Sequence, residues 1–254
     1  VFGHYNTYFG KWLTGEFASD PSSASLTILY NTVKNDFTWN GDIAGEFGLS
    51  LSRLPQVLPS NNSIGRVRPE IAKKLGLVKE PPVIIGGNDA ALAAFANGSD
   101  TPGKVVNVNG TCEITLVCLP RCIPSRNYNI RAHVLPDLWL TNYAMNAAGK
   151  AIEWFRCLFC SEMKKEDFFG GFVSRSIEKW TEQESELVYT PYLMGSRYSL
   201  ERLTAGFSGL TLETTREEMF AALIKGLYQY QQAHLEEISR SVPLSDTIIV
   251  TGGA

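Results

Sequence analysis

The chain has 254 residues and a formal net charge of −3, with 44% hydrophobic and 19% charged residues. These proportions exclude a disordered or fibrous chain and allow one large domain or two modest ones. The slightly negative net charge argues against a basic patch that would bind a nucleic acid backbone. No apolar run approaches the roughly 18 residues that span a membrane. We therefore expect neither nucleic acid nor a membrane as a partner.

The two ends of the sequence are unusual for a complete protein. The first residue is Val1, without a signal-peptide pattern, and the last four, Thr251-Gly252-Gly253-Ala254, resemble a turn cut in half. We expect an interior piece of a longer protein, truncated at both ends.

The first hundred residues show a mixed pattern of helices and strands. Pro69 in the first turn and Gly76 as a stop predict a helix over 68–76. A β-branched run predicts a strand over 83–85, and the glycine turn after it leads into a small-residue helix over 90–96. Gly, Ser, Asp and Pro cluster at 97–103, so we place domains at 1–101 and 102–254.

The second segment begins with strands and ends with a long helix. Two β-rich runs surround Asn109-Gly110, which predicts a tight hairpin within 104–119. A capping box, Thr215 to Glu218, starts the clearest helix. The other elements predicted here are a strand over 128–134, a helix over 146–160, a partly helical, solvent-facing stretch over 161–186, the helix over 215–240 and a buried strand over 248–250. The class is α/β or α+β with two lobes.

Five cysteines and three widely separated histidines give neither a disulfide framework nor a metal-ligand spacing. Cys157 and Cys160 have the CxxC spacing inside a predicted helix, without a second such pair. We interpret them as buried thiols, and an unrelated α/β enzyme that uses them for redox or metal chemistry is the alternative. We expect the cytoplasm as the location.

Asp89 is the most informative acidic residue. It lies where a predicted strand ends and a helix begins, so the helix dipole favours its ionised form. A carboxylate held there can accept a proton from a substrate hydroxyl as a general base. The alternative is that Asp89 only caps the helix.

Three glycine-bearing turns follow along the chain. Asn109-Gly110-Thr111 offers backbone N–H groups and a hydroxyl that could cradle a phosphate, or it forms an ordinary type I′ hairpin. Gly149 stands near a helix start and Gly252-Gly253 follows a strand, and both let a ligand approach the backbone. Neither GxxxxGK[ST] nor GxGxxG is present, which argues against a P-loop enzyme or a Rossmann dehydrogenase.

The order of these motifs resembles that of the FGGY carbohydrate kinases, the family of xylulokinase, ribulokinase and glycerol kinase. The likeness covers nearly the whole chain. Its segments are WLTGE at 12–16 with ASDPSSAS at 18–25, GGNDAALAA at 86–94, GKVVNVNGT at 103–111, AGKAIEW at 148–154, PYLMGSR at 191–197 with AGFSGL at 205–210, and IVTGGA at 249–254.

The resemblance implies an α/β, actin-like (ribonuclease H-like) pair of domains that closes on ATP with Mg²⁺ and on a sugar or polyol. It implies that Asp89 is the catalytic base and that Asn88 and Ile114 lie beside the sugar. The residues implied for the nucleotide are Gly110, Thr111, Gly149, Glu153, Gly252 and Gly253. The family's N-terminal Asp-x-Gly-Thr loop, which holds Mg²⁺ and the ATP phosphates, has no match here. We therefore expect this chain alone to be inactive.

Three positions depart from the family pattern, and the first of them leaves the substrate open. Ala90 follows the base where several members have an amide, Cys112-Glu113 follows the hairpin where small residues are usual, and Ser196 replaces the usual Glu. We expect a ketose such as xylulose or ribulose, with glycerol or another polyol as the alternative. A non-catalytic actin-like assembly module is the alternative of a different class. A homodimer is one expectation for the oligomeric state.

Overall fold

The computed structural model describes residues 2–182 and 185–253. In the first hundred residues, short helices alternate with two small two-stranded sheets. The helices are α1 (Tyr5–Thr14), α2 (Pro21–Ala24), α3 (Gly41–Glu46), α4 (Pro69–Lys74) and α5 (Asp89–Ala96), with 3₁₀ turns at Ser25–Thr27 and Leu51–Arg53. The strands are the parallel pair β1 (Ala18–Ser19) and β2 (Gln56–Val57) and the antiparallel pair β3 (Ser63–Arg66) and β4 (Pro82–Ile84).

The rest of the chain builds one larger sheet and the helices that cover it. The strands of this part of the chain are β5 (Val105–Asn109), β6 (Glu113–Leu119), β7 (Asn129–Ala132), β8 (Trp139–Met145), β9 (Val188–Thr190), β10 (Gly206–Ser208) and β11 (Ile248–Gly252). Strands β9 and β10 form a separate antiparallel pair outside the larger sheet. The helices are α6 (Gly149–Phe159), α7 (Lys165–Asp167), α8 (Val173–Glu182) and α9 (Arg216–Ser239), with a π-helical turn at Phe168–Phe172. The capping box predicted for α9 is confirmed, because Thr215 and Glu218 each accept the other's backbone N–H.

The main sheet has the strand order β11-β5-β6-β8-β7, with β11 parallel to β5 and the other neighbours antiparallel. Successive side chains of a strand point to opposite faces, so each face carries its own apolar set. On one face, Val117 and Leu119 pack with Ile238 of α9. On the other, Leu116 packs with Ala91 of α5. Helices α5 and α9 therefore cover opposite faces of the sheet.

Helix α5 lies along the sheet with its first turn toward the β5–β6 hairpin. Ala90, in that first turn, packs in one cluster with Val108 and Ile114, which flank the hairpin. Ser99, just beyond the end of α5, lies beside the thiol of Cys118 at the far end of β6. The start of α5 and the hairpin tip therefore lie at the same edge of the sheet.

An aromatic core lies beyond α6. Phe155, Phe168, Phe172 and Phe220 are all 0% exposed and their rings contact one another. The prediction that 161–186 faces solvent is therefore wrong for the Phe168–Phe172 turn. Phe168 and Phe172 are four residues apart, so they lie on the same helical face, and that face packs on α9. The many charged residues of the stretch suggested solvent exposure, but they do not prevent this packing. Residues 183 and 184 of that stretch lie outside the described residues.

Within the described residues β11 pairs with one strand, β5, and its outward side chains are exposed, which corrects the prediction of a buried strand. Ile248 and Val250 are 47% and 63% exposed, although Ile248–Gly252 pairs fully with β5. An apolar run predicts a strand but does not reveal how many neighbours that strand has.

Hydrogen bonds join the first hundred residues to the main sheet. Ser25 Oγ accepts the Ala132 N–H at 3.0 Å, and Trp139 Nε1 donates to the Thr32 carbonyl at 2.7 Å. These bonds hold β7 and β8 against the segment around α2. In the described part of the chain, no helix combines the length and the hydrophobicity needed to cross a membrane.

Candidate active site

Asp89 is the first residue of α5, and its side chain is exposed. The helix cap is the preceding residue, Asn88, whose Oδ1 accepts the Ala90 N–H at 3.2 Å. Asp89 Oδ1 accepts the same N–H at 2.7 Å. The cap position therefore belongs to Asn88, which weakens the interpretation of Asp89 as a cap and leaves an exposed carboxylate at the positive end of a helix.

A buried carboxylate supports the loop that carries Asn88. Asp20 is 0% exposed, and its Oδ2 accepts the N–H groups of Ser22 and Ser23 at 2.8 and 3.2 Å as well as the Ser22 hydroxyl. Its Oδ1 accepts an N–H of the Asn6 amide at 2.9 Å. Ser22 Oγ in turn accepts the Asn88 N–H at 2.9 Å. The position of Asn88 is thus tied to a charge buried in the first hundred residues.

Gly87 allows this close approach. A Cβ at that position would overlap the side chain of Val134 and would come within 3.0 Å of Ser22 Oγ. The glycine is therefore required by packing rather than by its backbone angle.

Removal of the Asp20 carboxylate should be far more disruptive than removal of an exposed one. We expect Asp20→Ala to lower the free energy of unfolding by about 3 kcal/mol, because several buried donors lose a charged acceptor. Asp36 makes similar local bonds to Thr38 on the surface, so Asp36→Ala should cost under about 1 kcal/mol. Urea unfolding of both variants measures the difference, and equal losses would contradict a supporting role for Asp20.

Arg131, on β7, reaches this loop from the main sheet. It is 5% exposed, and its Nη1 donates a hydrogen bond to Asn88 Oδ1. Burial lowers the pKa of Arg131, and the negative charge of Asp89 opposes that shift. Sequence reasoning missed Arg131, because nothing in the pattern of residues 128–134 brings it to a loop 43 positions earlier.

The hairpin tip differs from the type I′ turn that was the alternative prediction. Asn109 pairs with Glu113, so the loop has three residues, and neither Asn109 nor Gly110 has the positive φ that type I′ requires. The Gly149 N–H donates to the Gly110 carbonyl at 3.2 Å, and the Lys150 N–H donates to the Thr111 carbonyl at 3.3 Å. The tip therefore sits on the start of α6.

These bonds change which groups at the tip are open to a ligand. The first N–H groups of α6 are occupied by the hairpin carbonyls, so they are not open donors for a phosphate. The Thr111 side chain is exposed and makes no hydrogen bond within the described residues. Lys150, which sequence reasoning passed over, places an exposed ammonium group in the first turn of α6.

The two glycines at the end of the chain lie beside the same hairpin. Gly252 pairs with Asn109, and the Gly253 N–H donates to the Asn109 carbonyl at 3.1 Å. Gly252 has a φ of 119°, and a Cβ on it would overlap the Asn109 carbonyl oxygen. Nothing lies within 4 Å of the corresponding position on Gly253. The structure thus brings together Gly110, Thr111, Gly149, Gly252 and Gly253, at the sheet edge where α5 begins.

Two further predicted site residues have identifiable neighbours. Glu153 lies one turn into α6 and pairs with Arg156, whose Nη2 is 2.6 Å from its Oε1. The hydrogen bond from Arg156 lowers the pKa of Glu153. Ile114 is half-buried in the cluster beneath α5, together with Ala90, so its contacts are apolar.

Glu113, one of the departures from the family pattern, points away from α5. Asn107 Nδ2 donates to its Oε1 at 2.7 Å, and Gln231 of α9 also neighbours it. Burial raises the pKa of Glu113, and these two amides oppose the rise. Its charge is therefore held on the sheet face opposite Ile114.

The cysteine prediction is only half right. Cys160 is buried but Cys157 is exposed, and the described cysteines are all unpaired. Within residues 2–182 and 185–253, no group of three or more His, Cys, Asp or Glu side chains could hold a metal ion.

Comparison with models of known protein families identifies the family of this chain. Residues 1–96 match the N-terminal domain of the FGGY family of carbohydrate kinases, and residues 105–254 match its C-terminal domain. The chain belongs to this family. The resemblance inferred from the motif order is confirmed, and so is the actin-like ATPase fold.

Relatives in this family include kinases with different acceptors. The autoinducer-2 kinase of Yersinia enterocolitica is 31% identical over 159 residues, which are 62% of this chain and 30% of that one. The xylulose kinase of Bacillus subtilis is 24% identical over 95% of this chain and 48% of that one. A solved xylulose kinase from Lactobacillus acidophilus superposes with a TM-score of 0.86 at 21% identity, over 98% of this chain and 50% of its own. This FGGY chain spans half or less of the length of these relatives.

Proposed function

We propose that this FGGY protein transfers the γ-phosphoryl group of ATP to a hydroxyl group of a ketose, of the xylulose or ribulose type, or of a polyol. One observation carries the proposal. The exposed carboxylate of Asp89 begins α5 at the same sheet edge as the hairpin tip and the paired glycines. A kinase needs a proton acceptor and groups that hold the phosphates at one place.

In this proposal Asp89 is the general base. Its carboxylate lies in the first turn of α5, where Oδ1 accepts the Ala90 N–H, and as a carboxylate it can accept the proton of the attacking hydroxyl. Asn88 and Ile114 would lie beside the sugar. Phosphoryl transfer has a charge-rich transition state, so positioning and electrostatics supply most of the rate enhancement.

The residues around the hairpin fit a nucleotide. Nothing lies within 4 Å of the position that a side chain on Gly253 would occupy. The Thr111 hydroxyl has no partner within the described residues, so it can donate to a phosphate oxygen. The residues proposed to hold ATP are Gly110, Thr111, Gly149, Glu153, Gly252 and Gly253.

We also propose Mg²⁺ as the cofactor of ATP. Protein-bound Mg²⁺ commonly uses the substrate phosphates, water and only one or two carboxylates. The absence of a three-residue ligand cluster in the described residues is compatible with that arrangement. When bound, the ion would neutralise phosphate charge.

The substrate class and the location are proposals of the same kind. The kinases named for xylulose and autoinducer-2 support a small polyhydroxylated acceptor. Unpaired cysteines and the use of ATP support the cytoplasm. The domains are proposed at 1–101 and 102–254. We expect the 254-residue chain by itself to turn over no substrate, since it spans half or less of its relatives.

A substrate panel tests the function. The full-length protein that carries these residues is incubated with ATP, Mg²⁺ and xylulose, ribulose, glycerol or an autoinducer-2 preparation, and ADP release is recorded. We expect one acceptor to raise ADP release at least about 100-fold above the rate without acceptor. Nucleotide binding without turnover on any acceptor would instead support a non-catalytic actin-like module.

A further inference from the structure

The guanidinium of Arg131 is buried without a countercharge in contact with it. Arg131 is 5% exposed and takes part in none of the ion pairs found among residues 2–182 and 185–253. Its Nε makes no hydrogen bond in that part of the chain. Burial of a cation without a contacting countercharge costs several kcal/mol, and the negative charge of Asp89 opposes the effect of burial without cancelling it, so packing alone does not explain an arginine here.

The one hydrogen-bond partner found for the Arg131 side chain in the described residues belongs to the loop of the proposed base. Asn88 Oδ1 accepts from Arg131 Nη1 and also accepts the Ala90 N–H. The Asn88 backbone N–H is held separately by Ser22 Oγ. Asn88 is therefore fixed by both segments of the molecule, through its backbone from the side of α2 and through its side chain from β7.

Asp89 depends on this arrangement for its position. Its side chain is exposed, and the Ala90 N–H is the only hydrogen-bond donor to it in the described residues. The residue before it sets the direction in which α5 begins. If the Asn88 amide turned, the carboxylate would move with the first turn of the helix.

We infer that Arg131 is a positioning residue of the acceptor site, which acts through Asn88 to hold the Asp89 carboxylate where the acceptor hydroxyl must lose its proton. This inference rests on the proposed kinase function. Under this inference a residue of the segment 102–254 contributes to the transfer of the proton from the acceptor hydroxyl to Asp89.

Steady-state kinetics of the full-length protein test the inference. We expect Arg131→Met to lower kcat about 10- to 100-fold, because small displacements of a catalytic group have effects of that size. The KM for ATP should stay within about twofold, since the hairpin and the terminal glycines keep their contacts. Arg131→Lys retains the charge and one donor, so it should recover part of the lost kcat.

Two controls separate this role from a general loss of structure. Arg216→Met removes a guanidinium that bonds to the Phe159 carbonyl and Glu162, distant in sequence from Asn88, and should leave kcat unchanged. Asn88→Ala should lower kcat, and adding Arg131→Lys to it should cause little further loss.

The outcomes distinguish the inference from the function. If the wild type phosphorylates no acceptor, both are overturned. If the wild type is active and a folded Arg131→Met keeps kcat within twofold, only the inference is overturned. If Arg131→Met does not fold, Arg131→Lys decides. The inference is then overturned if Arg131→Lys has the wild-type kcat, or if its loss of kcat is fully additive with the loss caused by Asn88→Ala.

Discussion

Asp89→Asn should lower the kcat of the full-length protein by about 100-fold or more, the contribution typical of a general base. The amide keeps an oxygen that can accept the Ala90 N–H, so the start of α5 should be preserved. It cannot take a proton from the acceptor hydroxyl. The KM for ATP should change little, because the nucleotide-side groups lie on the hairpin and α6. ADP release with the best acceptor of the panel gives both constants.

A matched aspartate controls for the effect of charge at a helix start. Asp42 lies in the first turn of α3, behind an asparagine N-cap, Asn40, as Asp89 lies behind Asn88. Asp42→Asn therefore removes an equivalent exposed charge away from the proposed site. We expect its kcat to match the wild type. Equal losses in the two variants, or no loss in a folded Asp89→Asn, would falsify the assignment of Asp89 as the base.

Gly252→Ala should unfold or strongly destabilise the edge of the main sheet. At a φ of 119° an alanine is strained, and its Cβ would overlap the carbonyl oxygen of Asn109. Together these effects should lower the free energy of unfolding by about 2–4 kcal/mol. Because Asn109 leads directly into the hairpin, the affinity for ATP should also fall. Urea unfolding and nucleotide titration measure the two effects.

Gly253→Ala provides the comparison. The neighbouring glycine has no atom within 4 Å of the added methyl group, and its φ is not positive. We expect a change in the free energy of unfolding within about 0.5 kcal/mol. If Gly252→Ala proved as stable as Gly253→Ala, the close pairing of β11 with β5 at Asn109 would be incorrect.

Local signals were sufficient for α4, α5, α6 and α9 and for five strands, whereas α1–α3, β1–β3 and β8–β10 were not predicted. The capping box located the start of α9, Pro69 and Gly76 bounded α4, and the apolar runs on both sides of Asn109-Gly110 predicted β5 and β6. Each of these signals acts between residues close in sequence, through a cap, a fixed φ or a side-chain period. Their order also carried the resemblance to the FGGY family.

The tertiary structure decided which of these elements are buried and which residues meet. Phe168 and Phe172 are buried and Val250 is exposed, contrary to expectation, because burial depends on the neighbours an element finds in space. Arg131 reaches Asn88 only because the first hundred residues pack against β7. By itself the sequence determined four of the longer helices, five of the strands, the family and the identity of the candidate base. The surroundings of that base come from contacts between distant residues, which local propensity does not encode.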